Sequence, residues 1–206
     1  MNCEHEAVPV DRQTDEDRRT RADIYGLLGA LLAKPPDAPL LQLLHGIDPA
    51  ATPPDTAMHV AWRDLRAAAL ATDATRLQDE YFRLFIGLGR GELVPYASWY
   101  LHGFLMEKVL ASLRRELASL GFERRAGVAE PEDHVAAVCE IMGMIISDSD
   151  LYLRESDFFE TYVGSWMARF FADLEGAETA VFYKAVGRLG RQFVDIERQY
   201  LSLPAG

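Results

Sequence analysis

The stretch FYKAVGRLGRQFVDIERQY, from Phe182 to Tyr200, sets Phe182, Val186, Leu189, Phe193, Ile196 and Tyr200 at intervals of four and three. Residues so spaced stack on one face of an α-helix, whereas a strand would scatter them over both faces. The pattern is that of a helix seated between other helices. The same period recurs upstream in Ile24, Leu27, Leu28, Leu31 and Leu32, in Val135, Val138, Met142, Ile145 and Ile146, and in Phe159, Tyr162, Trp166, Phe170 and Leu174. No window alternates with period two for long enough to build a sheet, and no internal repeat is visible. The spacing predicts an all-α fold, a single-domain helical bundle of about seven to nine helices.

Helix punctuation supports that division. Residues 1–13 lack periodicity and read as a flexible N-terminal arm, leaving 14–206 as the helical domain. Thr14 and Asp17 fit a capping box, and Lys34-Pro35-Pro36 ends the helix they open. Pro39 to His45 is a short helix closed by Gly46, and an alanine-rich helix is expected from about Thr56 to Thr72. Leu77, Tyr81, Leu84, Phe85 and Leu88 share one stripe. Ser98 is placed to cap a long helix running to Gly121, Pro131 to open another after a loop over Phe122 to Glu130, and Ser156 to cap the aromatic one.

Composition narrows the function classes. The 206 residues carry 21 Lys plus Arg against 32 Asp plus Glu, a net charge of −11, which disfavours a nucleic-acid partner and suits a basic one. Cys3 and Cys139 make no disulfide framework, the first twenty residues hold no apolar targeting core, and no run of apolar residues is long enough to span a bilayer. A cytoplasmic protein without a transmembrane segment is expected.

Chemical sites are weakly signalled. His5, His45, His59, His102 and His134 include no i, i+4 pair and no H-E-x-x-H, so no metal site and no cofactor are expected. Gly87-Leu88-Gly89-Arg90-Gly91 follows a helix, not a strand, and lacks the Lys-Ser or Lys-Thr end of a phosphate loop. Asp133 and His134, as neighbours on a helix, point about 100° apart and cannot act as a base with its orienting group toward Ser98. No catalytic residue is assigned.

Three motifs in order carry a more specific signal: Glu80-Tyr81-Phe82-Arg83-Leu84-Phe85; Pro95-Tyr96-x-Ser98-x-Tyr100-Leu101; and Glu130-Pro131-x-Asp133-His134, followed by Glu140-x-Met142. Together they resemble the TorD/DmsD family of redox-enzyme maturation chaperones, most closely over about Leu77 to Met144. The resemblance implies a TorD-like helical chaperone in the cytoplasm that binds the twin-arginine signal peptide and the apo-form of a molybdopterin oxidoreductase until cofactor insertion and folding precede export. It implies the export machinery as a further partner and a monomer or domain-swapped dimer.

Carried over by position, the resemblance assigns peptide binding to Tyr81, Leu84 and Phe85, to Pro95, Tyr96, Ser98 and Tyr100, and to Asp133 and His134. The expectation is an open apolar groove of Tyr81, Leu84, Phe85, Tyr96 and Tyr100 with Asp133 on an acidic rim, the mode in which a helical segment is seated by its apolar face. A protonated His134 would then repel the arginines of the bound segment. The alternatives are an accessory protein for a non-exported metalloenzyme and a helical metal- or nucleotide-dependent hydrolase.

Overall fold

The computed structural model describes residues 15–104, 107–124 and 130–202; of Glu107 and Tyr152 only the backbone is described. The expected N-terminal arm and the Thr14 cap lie outside these residues. In chain order the helices are α1 (Asp15–Ala33), α2 (Ala38–His45), α3 (Ala57–Leu70), α4 (Ala74–Tyr81), α5 (Ala97–His102), α6 (Glu107–Ser119), α7 (Val135–Ser147), α8 (Glu155–Phe158), α9 (Met167–Gly176) and α10 (Phe182–Ser202). No strand occurs among the described residues, and the isolated antiparallel bridge joins Tyr96 to His134.

The stretch from Phe182 forms α10, and it is a central element. It buries Phe182, Tyr183, Val186, Leu189, Phe193 and Val194, packing on α9, α3, α4 and α1. Its approach to α9 is set by glycine: a Cβ at Gly187 would stand 2.6 Å from the Glu175 nitrogen and 2.8 Å from the Phe171 carbonyl oxygen. Side chains at that position would push the two backbones apart.

Helices α1 and α7 pack antiparallel just as closely. The Arg18 guanidinium reaches the Ile146 carbonyl, a Cβ on Gly143 would meet the Ala22 carbonyl at 3.3 Å, and one on Gly29 would meet that of Ala136 at 3.3 Å. Tyr25, Leu28, Val135, Val138, Met142 and Ile145 fill the seam. Under it, Arg21 is buried with Glu155 and Glu197, holding Glu197 through two nitrogens at 2.6 and 2.7 Å. The triad ties α1 to α8 and α10.

Several expected boundaries shift for identifiable reasons. The long helix from Ser98 to Gly121 is two, because Gly103 at φ +80° closes α5 in the left-handed conformation before α6 begins. Helix α7 begins at Val135, with His134 as its cap, four residues after Pro131. The aromatic run is buried as its period predicts, but Ser156 caps nothing. There α8 passes into a π-helical turn, Phe159–Gly164, which lets the Phe159 ring lie against Gly164 before α9 resumes. The stripe from Leu77 ends at Phe85, since a second π-helical turn over Phe82–Ile86 breaks its period and leaves Leu88 98% exposed.

Candidate peptide-binding groove

The three sequence motifs meet, but as a brace between helices. The Ala97 amide donates to the Asp133 carbonyl and the Val135 amide to the Pro95 carbonyl, each at 2.9 Å, which is the bridge that sets α5 beside α7. Asp133 Oδ2 accepts from the Ser98 amide at 3.2 Å, so it caps α5 from a segment 35 residues away. Ser98 is therefore the capped residue, not the cap. His134 Nδ1 accepts from the Ala136 amide at 3.2 Å and caps its own helix, α7. Tyr96 packs edge-on against the His134 ring at 5.1 Å and donates its hydroxyl to Glu130 Oε2 at 2.6 Å.

The first motif is a second brace. Glu80 lies on the apolar stripe with Leu77 and Leu84, and its carboxylate accepts from the amides of Val181, Phe182 and Tyr183 at 2.7, 3.2 and 2.8 Å, capping α10. Tyr81 donates to the Leu32 carbonyl at 3.1 Å, and Tyr183 to that of Leu31 at 3.0 Å, together satisfying the last turn of α1 above Pro35. Burial pushes the Tyr81 hydroxyl up to about 12, so it remains a donor at any physiological pH.

These contacts decide which expected groove residues face solvent. Leu84 is fully buried, Tyr81, Pro95, Ser98, Asp133 and His134 are buried, and Phe85 is half-buried against Tyr81 and Tyr183 at ring distances of 4.9 and 5.4 Å. Tyr100 lies apart, tilted against Trp166, edge-on to Phe170 and hydrogen-bonded to Asp173, beside a shallow cleft with Trp99 and Arg169. The stripe from Tyr81 and the acid at Asp133 thus share no concavity. Each side chain there is committed to packing or to a helix end. Desolvation holds the His134 pKa below the ordinary imidazole value, against the raising influence of Glu130 and Asp133. Protonation would also remove the acceptor that caps α7.

An open groove does exist, one wall away. It has a volume of about 1240 Å³ and runs along the outer face of α7 between α1 and the segment formed by α6 with Phe122–Arg124. Ala137, Ile141 and Met144 form the α7 floor, Leu117 and Phe122 one side, Ala22 and Gly26 the other. Asp23, Glu123, Glu130, Glu132, Glu140 and Asp148 line it, against the guanidinium groups of Arg114 and Arg124. None of the peptide-binding residues carried over from the resemblance lines this groove, although Glu130 and Glu132 come from the same motif as Asp133 and His134. The usable sign was the outward face of α7, where Ala137, Ile141 and Met144 extend the apolar pattern beyond the stripe that packs inward.

Cys139 is fully buried and its thiol is pushed far above the ordinary range by desolvation, so it is no nucleophile. Among the described residues no group of three or more His, Cys, Asp or Glu side chains could hold a metal ion, and no helix is long and apolar enough to cross a membrane.

Comparison with known proteins agrees with the resemblance. Residues 52–172 match the family described as nitrate reductase delta subunit. The chaperone protein TorD of Vibrio parahaemolyticus is 24% identical over 203 residues, covering 88% of this chain and 94% of the relative. TorD of Shewanella loihica is 26% identical over 198 residues, covering 89% and 93%. A crystal structure of an Archaeoglobus fulgidus protein assigned to redox enzyme maturation superposes with a TM-score of 0.55 at 20% identity, covering 86% of this chain and 93% of that one, and shares its fold.

Proposed function

Because the chain belongs to the nitrate reductase delta subunit family and is a TorD-type redox-enzyme maturation chaperone, we propose that it receives the basic, then apolar, leader of a molybdopterin oxidoreductase in the groove along α7. It holds the apo-enzyme there, in the cytoplasm, until the cofactor is in place. Its contribution is binding, with no bond made or broken.

The observation that carries this reading is the groove's chemistry. An apolar floor large enough for a helix face is bordered by six carboxylates and two guanidinium groups, the complement of a segment with an arginine pair beside an apolar run. The motif residues act behind it: Asp133, His134 and Tyr96 fix the N-terminal end of α7, and Tyr96 holds Glu130 at the groove's edge.

Calorimetric titration with a twin-arginine leader peptide tests the assignment. Met144 is 46% exposed on the floor, so Met144→Asp should weaken binding by tenfold or more without unfolding the protein. Leu88→Asp, equally disruptive to an apolar surface but outside the groove, should leave it unchanged. Equal losses, or no binding by the wild-type chain, would refute the placement. Affinity should fall with added salt, as for any partner steered by a chain of net charge −11.

A further inference from the structure

The groove's charge is not spread evenly along α7. At the N-terminal end of the helix, Glu132 is already paired: Arg114 reaches its Oε2 at 2.9 Å, and Arg124 lies 3.6 Å from its Oε1 while donating to the Glu130 carbonyl at 3.1 Å. The Glu132 side chain is 13% exposed beneath these two guanidinium groups, and Glu130 is held by Tyr96. That end sets Glu123, Glu130 and Glu132 against Arg114 and Arg124, so most of its negative charge is offset, and it carries the positive pole of α7.

The other end differs. Asp23 on α1 and Asp148 at the close of α7 line the groove with no ion pair to either among the described residues, and Glu140 at mid-length is equally unpaired. Asp148 keeps Oδ2 available, since the Asp150 amide donates to Oδ1. The carbonyl pole of α7 adds to the negative potential here. Arg18 places its guanidinium on the Ile146 carbonyl, and neither it nor Arg19 is among the lining residues.

Resting on the groove reading, we infer that the ligand is bound in one direction: its arginine pair lies between Asp23 and Asp148, and its apolar run extends toward Leu117 and Phe122. The ligand then runs antiparallel to α7 and parallel to α1. From Ala137 to Asp148 the floor is about 16 Å long at 1.5 Å per helical residue, room for about eleven helical residues with the arginines included. Asp23 and Asp148 are the residues that select for guanidinium. Glu132, already satisfied by Arg114 and Arg124, does not.

A leader peptide carrying a benzophenone beside its arginines, and a second carrying it at the apolar end, read the direction by mass spectrometry of the cross-links. The first should label α1 and α7 near Asp23 and Asp148, the second the region of Leu117 and Phe122. Asp23→Asn with Asp148→Asn should weaken the arginine peptide by about tenfold or more, the scale of lost charge-assisted contacts. The same change should leave a peptide with glutamines in place of arginines within about twofold, on the same affinity scale. Binding with the opposite labelling, or equal effects on both peptides, overturns the direction while leaving the groove intact. Absence of binding by the wild-type chain overturns both.

Discussion

Asp133 offers the sharpest separation of a binding role from a structural one. In this fold its carboxylate is 3% exposed and serves the Ser98 amide, itself 2% exposed, at the start of α5. Asp133→Ala leaves that amide without a partner and without water, a lost cap that costs about 1–2 kcal/mol. For a chain of this length the melting temperature should fall by about 2–8 °C at ~2–4 °C per kcal/mol. Asp133→Asn keeps an acceptor oxygen and should lose less than half as much. The assay pairs urea denaturation of each variant with leader-peptide titration under conditions where the variant is fully folded. If the brace reading is right, stability falls in the order wild type, Asn, Ala, and the affinity of the folded fraction stays within about threefold, under 0.7 kcal/mol. An alanine variant of unchanged stability that no longer binds peptide would refute it and return Asp133 to the rim.

Other expected outcomes follow from the same geometry. Glu80→Ala strips three amides at the head of α10 of their acceptor and should cost about 2–4 kcal/mol by urea denaturation, more than loss of an ordinary exposed cap. His134, whose folded-state pKa lies below the ordinary value, refuses a proton that the unfolded chain accepts. Its contribution to stability is therefore complete above about pH 6.5 and is lost as the pH falls below that value. His134→Asn, which keeps a capping oxygen, should flatten that part of the stability–pH curve measured by denaturation. Gly187→Ala drives a methyl into the backbone of α9 and should destabilise by about 1–3 kcal/mol in thermal or urea unfolding, whereas Gly26→Ala, with open space around it, should be neutral or stabilising.

What the sequence disclosed, and what it hid, divides along the range of the interactions involved. The period of α10, the Pro39 stretch of α2 and the alanine-rich run of α3 are decided within a few residues, and each is a helix in the fold. The π-helical turns are not, because nothing local distinguishes Phe82–Ile86 from ordinary helix until the Leu93 and Glu92 amides fold back onto the Leu84 and Arg83 carbonyls. The motif residues lie at helix junctions beside the groove, with most of their side chains buried. The helical spacing of Tyr81 and Leu84 and the place of Asp133 at a helix start account for their burial, whereas the groove role comes from the resemblance alone. Glu80 on an apolar stripe was the overlooked clue: an acid at a core position needs donors, and those donors lie a hundred residues away in α10.

Caps supplied from distant segments explain how a fold of short helices keeps a groove open. Each such cap fixes the relation of two elements that no short loop could hold, α4 to α10 through Glu80 and α5 to α7 through Asp133. The two walls of the groove are then unequally firm. On the α1 side, Gly29 and Gly143 bring backbone against backbone, and any wedge there would have to break the close seam. On the α6 side, Leu113 and Leu117 anchor the helix inward, Glu116 pairs with Arg154 and Ser112 meets the Tyr162 hydroxyl, while toward α7 it is held by Arg114, half-exposed, to Glu132, a kind of contact worth about 0–1 kcal/mol. On the proposed reading, a leader lying along α7 meets one wall packed backbone to backbone, which sets its register, and one wall held by side chains. The wall held by side chains is the one whose arginines neutralise Glu132, so what it offers the ligand's apolar run is Leu117 and Phe122, while the carboxylates of Asp23 and Asp148 sit on the backbone-packed frame, where a charge must be held still to be read.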